Sequence, residues 1–153
     1  MPRPRFLVPL DFSEYANQVL DYTIHLARKL GARVTLLHVI QSLPFGGVDM
    51  GVTLPYTLLQ DLEAEVRHRM ESALERVTAA GLEGDIVVVH GVPFHDIIET
   101  AKTQQVALII MGTQGRTGYQ YLLLGSVAEK VVRLAPCPVL VVRQPTVTVV
   151  PVS

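Results

Sequence analysis

The chain has 153 residues, enough for one domain over residues 1–153 that buries roughly two-thirds of its unfolded surface. Its formal net charge of -1 excludes the basic excess of a general nucleic-acid-binding protein, so we expect no nucleic-acid partner. The only cysteine, Cys137, cannot form an intramolecular disulfide, and the apolar runs are too short for a signal peptide or a membrane span, which predicts a cytoplasmic protein without a membrane partner.

The first pattern along the chain is a strand followed by a helix. Residues 5–10 (RFLVPL) form a short apolar run, typical of a strand buried on both faces, and Asp11 follows it directly. In residues 14–30, apolar residues recur at intervals of three and four, which predicts a helix. Ser13 fits the N-cap of this helix, and Gly31 fits its end.

The middle of the chain repeats this alternation after one interruption. Residues 33–40 are rich in β-branched and aliphatic types and predict a second strand. Residues 41–57 combine Gly and Pro with scattered apolar residues, which predicts a long surface loop such as a lid or a partner contact. Residues 58–80 have helical periodicity, residues 85–90 predict a third strand, and residues 94–103 predict another helix.

The last third of the chain completes the pattern. Residues 106–111 predict a fourth strand, and residues 126–134 predict a helix that Pro136 ends. Residues 139–143 predict a fifth strand, and residues 144–153 form a C-terminal tail. Because apolar strands alternate with helices, we expect an α/β fold with a single open five-stranded parallel sheet and helices on both faces.

The ends of the predicted strands indicate where a ligand would bind. In open parallel sheets, ligands bind beyond the carboxyl ends of the strands, where the strand order reverses. Asp11, Val39 and residues 111–115 all lie at such ends, so three separated segments should meet at one crevice. Asp11 could accept hydrogen bonds from backbone amides alone, or from a ribose or adenine. The crevice role is favoured because acidic residues are seldom buried without partners.

A glycine-rich segment joins the fourth strand to the last helix. Gly112, Gly115 and Gly125 permit tight turns that bring backbone N–H groups close to a ligand, and a helix starts near Ser126. A lone glycine loop is usually a turn, but these four residues between a strand and a helix favour phosphate binding. Ser126 could cap the helix, contact phosphate, or do both. Arg116 could reach a terminal phosphate or remain a solvated surface residue.

No catalytic arrangement accompanies this segment in the sequence. There is neither a Walker A motif nor the Gly-x-Gly-x-x-Gly of a dinucleotide turn, and the histidines lack metal-ligand spacing. We interpret each histidine as a surface or packing residue, and Cys137 between two prolines as a turn residue rather than a nucleophile. We therefore expect no catalytic residue and no metal held by side chains.

Five motifs, in the same order, are similar to those of the universal stress protein family over about residues 5–143. The most specific is the pattern Gly112-x2-Gly115-x9-Gly125-Ser126, which resembles that family's ATP-binding signature. The others are FLVPLDFSE at 6–14, LHV at 37–39, GVP at 91–93 and APCPVLVV at 135–142.

The resemblance implies a Rossmann-like domain, related to the adenine nucleotide alpha hydrolases, that binds ATP and is linked to the stress response. In such a protein, Asp11 and the backbone around Val39 would meet the adenosine, and Mg²⁺ or Mn²⁺ would accompany the triphosphate. The phosphates would contact the glycine-rich segment. The further site positions implied by the resemblance are Pro9, Met111, Gly112, Gly115, Arg116, Gly125, Ser126, Val127 and Ala128.

The apolar run Val139 to Val142 bears on the oligomeric state. It could be a plain edge strand, but an uncovered apolar edge promotes aggregation, so pairing with a second copy is favoured. A homodimer is also what the family resemblance implies. We expect a nucleotide-dependent dimeric regulator with at most slow ATP hydrolysis or autophosphorylation. The alternative is a dimeric interaction module that binds no nucleotide and recruits an unknown protein partner through the long loop.

Overall fold

The computed structural model describes residues 2–41, 55–113 and 124–143. In that part of the chain, strands alternate with helices. In chain order, the elements are β1 Arg5–Pro9, α1 Ala16–Leu30, β2 Arg33–Gln41, α2 Tyr56–Ala79, β3 Gly84–Gly91, α3 Pro93–Thr103, β4 Leu108–Gly112, α4 Ser126–Leu134 and β5 Val139–Val142. None of the helices described is long and apolar enough to cross a membrane.

The strands form one parallel sheet in the order β3-β2-β1-β4-β5, which confirms the expected α/β class. The chain moves outward from β1 through β2 to β3, and then returns to place β4 on the other side of β1. The strand order therefore reverses between β1 and β4. Open α/β sheets bind their ligands outside the carboxyl ends of the strands at this kind of reversal.

The core consists of two layers, one on each face of the sheet. Phe6 and Val8 of β1 pack with residues of α1 and α2, whereas Leu7 between them packs with residues of α3 and α4. Successive side chains of a strand point to opposite faces, so a strand covered on both faces is apolar throughout. The central strands β1 and β2 are mostly buried, whereas β3 and β5 form the half-buried edges.

Helix α1 begins at Ala16 rather than at residue 14, and the predicted N-cap Ser13 does not cap it. The Ser13 amide instead donates a hydrogen bond to Oδ1 of Asp11 at 2.9 Å. Phe12 between them has a positive φ of 60°. The prediction for Ser13 is wrong because the Asp11 carboxylate forms a turn that delays the helix. The predicted end of α1 is confirmed, since Gly31 is left-handed with a φ of 65°.

Strand β4 begins at Leu108 rather than at residue 106, because the preceding residues end α3. Gln105 has a positive φ of 51°. The amides of Gln105 and Val106 donate to the carbonyl oxygens of Lys102 and Ala101 at 3.2 and 3.0 Å. This is the Schellman arrangement of a helix end. Val106 is therefore apolar because the helix end buries it in the core, not because it pairs in the sheet.

The remaining predicted boundaries agree with the structure to within one or two residues, which is the usual uncertainty of helix and strand ends. The predicted loop 41–57 is shorter at both ends, since Gln41 ends β2 and Tyr56 begins α2. Residues 42–54 of that loop lie outside the described residues. The predicted tail, residues 144–153, lies outside them as well.

Candidate functional site

Three strands end together at the carboxyl edge of the sheet. Parallel pairing of β1 with β2 and with β4 aligns these ends on both sides of β1. The ends carry Pro9 in β1, Val39 in β2, and Met111 with Gly112 in β4, while Asp11 lies just beyond β1. The structure thus brings these residues of the predicted site to one edge, at the point where the strand order reverses.

Two of these residues have buried side chains, so only their backbone could meet a ligand at this edge. Val39 and Met111 are only 9% and 6% exposed, and their side chains pack into the layer that contains α3 and α4. Pro9 and Gly112 are half-buried, and proline has no amide hydrogen to donate. A ligand at this edge would therefore meet carbonyl and amide groups at the strand ends rather than apolar side chains.

A short hydrogen bond joins the two ends of the glycine-rich segment. The amide of Gly125 donates to the carbonyl oxygen of Thr113 at 2.7 Å. Thr113 directly follows β4, and Gly125 directly precedes α4. This bond therefore fixes the amino end of α4 beside the carboxyl end of β4. The predicted site residues Gly115 and Arg116 lie between these two ends, outside the described residues.

The first turn of α4 carries backbone amides that the helix itself does not use. Gly125 is the N-cap and has no side chain, and Ser126 is the first helical residue, so Ser126 does not act as the N-cap. The Glu129 amide donates to the Gly125 carbonyl at 2.9 Å, which makes it the first intrahelical bond. The amides of Ser126, Val127 and Ala128 precede that bond. Such amides, together with the helix dipole, commonly bind phosphate.

The charge in this first turn is partly neutralised. Glu129 is acidic and lies near the amino end of α4, where its charge would oppose a bound anion. However, Nη2 of Arg133 donates to Oε1 of Glu129 at 2.7 Å across one turn of the helix. Both side chains are exposed, so the pair contributes little to stability. The positive charge of Arg133 therefore lies beside the negative charge of Glu129 and offsets part of it.

Asp11 has a structural hydrogen bond and a half-buried position. Its Oδ1 accepts the Ser13 amide at 2.9 Å, as in a common Asx turn. A carboxylate has several lone-pair sites, so this bond does not exhaust its capacity as an acceptor. The half-buried position at the strand ends fits the crevice role that we expect for Asp11.

His38 contacts the Asp11 turn, although the sequence did not single it out for the site. Its imidazole is 7% exposed, and Nδ1 lies 2.6 Å from the carbonyl oxygen of Leu10. The ring also stacks on Phe12 with centroids 4.5 Å apart. The packing interpretation is therefore confirmed for His38, and the other histidines are exposed. The available signal was a polar ring inside the apolar stretch LLHVI, next to the predicted site residue Val39.

Cys137, the only thiol of the chain, is poorly suited to react. Burial raises the pKa of its thiol above the usual 9.0, and a hydrogen bond with the Ile109 backbone offsets only part of that shift. The thiol therefore stays protonated at neutral pH, as expected for a structural cysteine. Within residues 2–41, 55–113 and 124–143, no group of three His, Cys, Asp or Glu side chains could hold a metal ion.

Known proteins that are similar to this chain align with most of its length. The Universal stress protein family matches residues 2–143. Universal stress protein YxiE of Bacillus subtilis is 32% identical over 148 residues, which covers 91% of this chain and 98% of that protein. Universal stress protein MJ0577 of Methanocaldococcus jannaschii is 31% identical over 153 residues, with coverages of 92% and 94%. The solved structure of MJ0577 has a TM-score of 0.81, with coverages of 96% and 100%.

Two further solved structures of this type contain adenine nucleotides. One is a universal stress protein in complex with cAMP, with a TM-score of 0.69, 21% identity, and coverages of 91% and 96%. The other is the universal stress protein from Archaeoglobus fulgidus in complex with dAMP, with a TM-score of 0.64, 22% identity, and coverages of 92% and 97%. At these identities, the likeness shows a shared fold.

Proposed function

Since the chain belongs to the universal stress protein family, we propose that it binds ATP at the carboxyl edge of its sheet. The phosphates would lie against the start of α4, and the adenosine would lie toward the ends of β1 and β2. Bound nucleotide would then set the state of a dimeric regulator in the stress response. Three features of the chain support this proposal: helix-start amides that could bind an anion, a carboxylate that could accept from the nucleoside, and an apolar strand at the edge of the sheet.

The observation that carries the proposal is the 2.7 Å hydrogen bond between the Gly125 amide and the Thr113 carbonyl. It holds the positive end of the α4 dipole beside the point where the strand order reverses. The amides of Ser126, Val127 and Ala128 add hydrogen-bond donors there. A helix start of this kind favours phosphate without the need for a lysine.

The adenosine end of the proposed site is based on Asp11 and Val39. A carboxylate accepts hydrogen bonds from ribose hydroxyls or an adenine amino group, and it repels phosphate, so Asp11 suits the nucleoside end. Val39 has a buried side chain, so it would contact the nucleoside through its backbone. The relatives solved with cAMP and dAMP support an adenine nucleotide as the class of ligand.

Mg²⁺ or Mn²⁺ would reach this site together with the triphosphate. The described residues offer no cluster of three metal-ligating side chains. At nucleotide sites, Mg²⁺ is commonly held by phosphate oxygens and water with only one or two carboxylates. A site with the single carboxylate of Asp11 fits this way of binding the ion. Turnover would be slow at most, because the sequence shows no recognised motif that would activate a nucleophile or place a general base beside the glycine-rich segment.

The proposed regulator is a homodimer joined through β5. This strand, Val139–Val142, lies at the edge of the sheet, and all of its residues are half-buried. An edge strand presents unpaired N–H and C=O groups, and an apolar edge adds a tendency to aggregate. Antiparallel pairing with a second copy across a two-fold axis would satisfy the backbone groups and cover the apolar side chains.

Titration calorimetry with ATP and Mg²⁺ tests nucleotide binding on the wild type and on Gly115→Asp. The substitution adds a negative charge to the glycine-rich segment, so we expect it to abolish the binding that the wild type shows. If the wild type bound no ATP at millimolar concentration, the proposal would fail. The dimeric interaction module without a nucleotide would then be the better interpretation.

A further inference from the structure

One buried side chain holds both neighbours of Asp11. The carbonyl oxygen of Leu10, which precedes Asp11, lies 2.6 Å from Nδ1 of His38. The ring of Phe12, which follows Asp11, stacks on the same imidazole with centroids 4.5 Å apart and planes inclined by 29°. Asp11 is therefore the middle residue of a three-residue segment that His38 contacts at both ends.

The contact with Leu10 identifies which ring nitrogen carries a hydrogen. A carbonyl oxygen can only accept, so Nδ1 of His38 must donate. The Leu10 amide donates in turn to the Leu37 carbonyl at 2.8 Å. Both polar backbone groups of Leu10 are thus tied to β2. With the His38 ring 7% exposed, water has little access to compete for its hydrogen bond.

The backbone conformation of Phe12 requires contacts that hold the residue in place. Its φ of 60° lies in the left-handed region, which residues with a side chain adopt only at an energetic cost. The imidazole of His38 stacks on the Phe12 ring, and the guanidinium carbon of Arg69 lies 5.4 Å from the ring centroid. Strained conformations persist where surrounding contacts determine them, and they are common beside binding sites.

From these contacts, we propose that His38 is a positioning residue for the Asp11 carboxylate at the adenosine end of the nucleotide site. The inference rests on the proposed function, and it gives His38 a role beyond packing. Loss of the Nδ1 hydrogen bond would let Leu10 and Phe12 shift, and Asp11 would move with them. Ligands that contain adenosine would then bind more weakly. Inorganic tripolyphosphate, which would meet only the start of α4, would bind as before.

Two substitutions test the Nδ1 hydrogen bond of His38 and the stacking of its ring separately. His38→Phe keeps a planar ring for stacking but removes the donor, whereas His38→Asn removes the ring and retains an amide donor near the position of Nδ1. The matched control is Thr35→Val at the opposite end of β2. The buried Thr35 hydroxyl donates to Oδ1 of Asp85 at 2.7 Å and accepts from Nη1 of Arg5 at 2.5 Å, so the control loses two hydrogen bonds at a place far from the site.

Titration calorimetry with ATP, AMP, adenosine and tripolyphosphate gives the main readout. We expect His38→Phe to weaken the binding of the three adenosine ligands by about three- to tenfold, the effect of one hydrogen bond. Its affinity for tripolyphosphate should not change. His38→Asn, which keeps a donor but loses the stacking on Phe12, should bind the three adenosine ligands more tightly than His38→Phe and more weakly than the wild type. Thr35→Val should bind all four ligands as the wild type does, although it unfolds at a lower temperature.

If the wild type binds adenosine and His38→Phe binds it with the same affinity, the inference fails and the proposed function stands. Equal weakening by Thr35→Val would also overturn the inference, because a general loss of stability would then explain the effect. Imidazole ¹⁵N NMR of the wild type provides a second readout. We expect a hydrogen on Nδ1, and a ring protonated only at Nε2 would contradict the inference. If the wild type binds no adenosine ligand, the proposed function fails and the inference fails with it.

Discussion

Replacement of Ser126 by proline isolates one backbone amide of the proposed phosphate site. Ser126 is the first residue of α4, a position where proline is favoured because its φ suits the helix and its missing amide hydrogen has no intrahelical acceptor. The preceding Gly125 has φ -58° and ψ 159°, the extended conformation that a residue before proline prefers. Ser126→Pro should therefore preserve the fold and remove a single donor.

The size of the effect follows from the charge of the phosphate. A hydrogen bond to a charged group contributes about 1.5–3 kcal/mol, which corresponds to roughly a tenfold to hundredfold change in affinity. Ser126→Ala is the matched control, since it removes the hydroxyl and keeps the amide. In titration calorimetry, we expect Ser126→Pro to bind ATP at least about tenfold more weakly than Ser126→Ala.

Thermal unfolding distinguishes loss of the donor from damage to the helix. We expect the unfolding temperature of Ser126→Pro to lie within about 2 °C of the control, as for a substitution without a packing effect. Equal ATP affinity of the two variants would refute the reasoning, because the first amide of α4 would then take no part in binding. A much lower unfolding temperature would refute the premise that proline fits at this helix start.

Packing, edge exposure and burial give three more expectations. Gly84→Ala should destabilise the fold by about 1–3 kcal/mol in urea, because its Cβ would lie 2.9 Å from Leu74 and 3.0 Å from Val77. Gly84→Ala should cost less in a Leu74→Ala background than in the wild type, and an unchanged urea midpoint of Gly84→Ala would contradict the packing argument. Val141→Lys in β5 should shift the proposed dimer toward monomer in analytical ultracentrifugation, and a dimer that this substitution leaves unchanged would exclude β5 as the interface. Since burial raises the pKa of Cys137, iodoacetamide should react more slowly with native than with unfolded protein, and stability should fall above about pH 9, where the unfolded thiol ionises first. Faster alkylation of the native protein would contradict this expectation.

The strands and helices could be predicted because burial leaves a periodic pattern in the sequence. Strands β1 and β2 are covered on both faces, so apolar residues predominate in the middle of each strand. The order of the strands has no such local signature. It depends on the return of the chain to place β4 beside β1, which only long-range packing determines.

The ends of the elements were harder to predict, because several groups compete for the same backbone hydrogen bonds. Ser13 has the right chemistry for an N-cap, but the turn that the Asp11 carboxylate forms with the Ser13 amide comes before the helix, which begins only at Ala16. Val106 looks like a strand residue, yet its amide closes the end of α3 on Ala101. Ser126 also resembles a cap, although the helix begins at that residue. Local sequence does not show which of these groups is within reach.

Part of the candidate site could be predicted from the sequence, because the topology brings the ends of parallel strands together. Asp11, Val39 and Met111 each follow or end an apolar run, and parallel strands bring such ends to one edge. For His38, the sequence offered only a polar ring inside an apolar stretch, which does not show what the ring contacts. Its contacts with Leu10 and Phe12 link residues on different strands and turns, and no spacing in the sequence encodes a 2.6 Å approach.

An experimental structure of the protein with ATP and Mg²⁺ is the most direct test of the nucleotide proposal. We expect the phosphates to contact the amides of Ser126, Val127 and Ala128, with the nucleoside beside Asp11. ATP bound elsewhere on the protein, or no nucleotide at this edge of the sheet at millimolar ATP, would contradict the proposal.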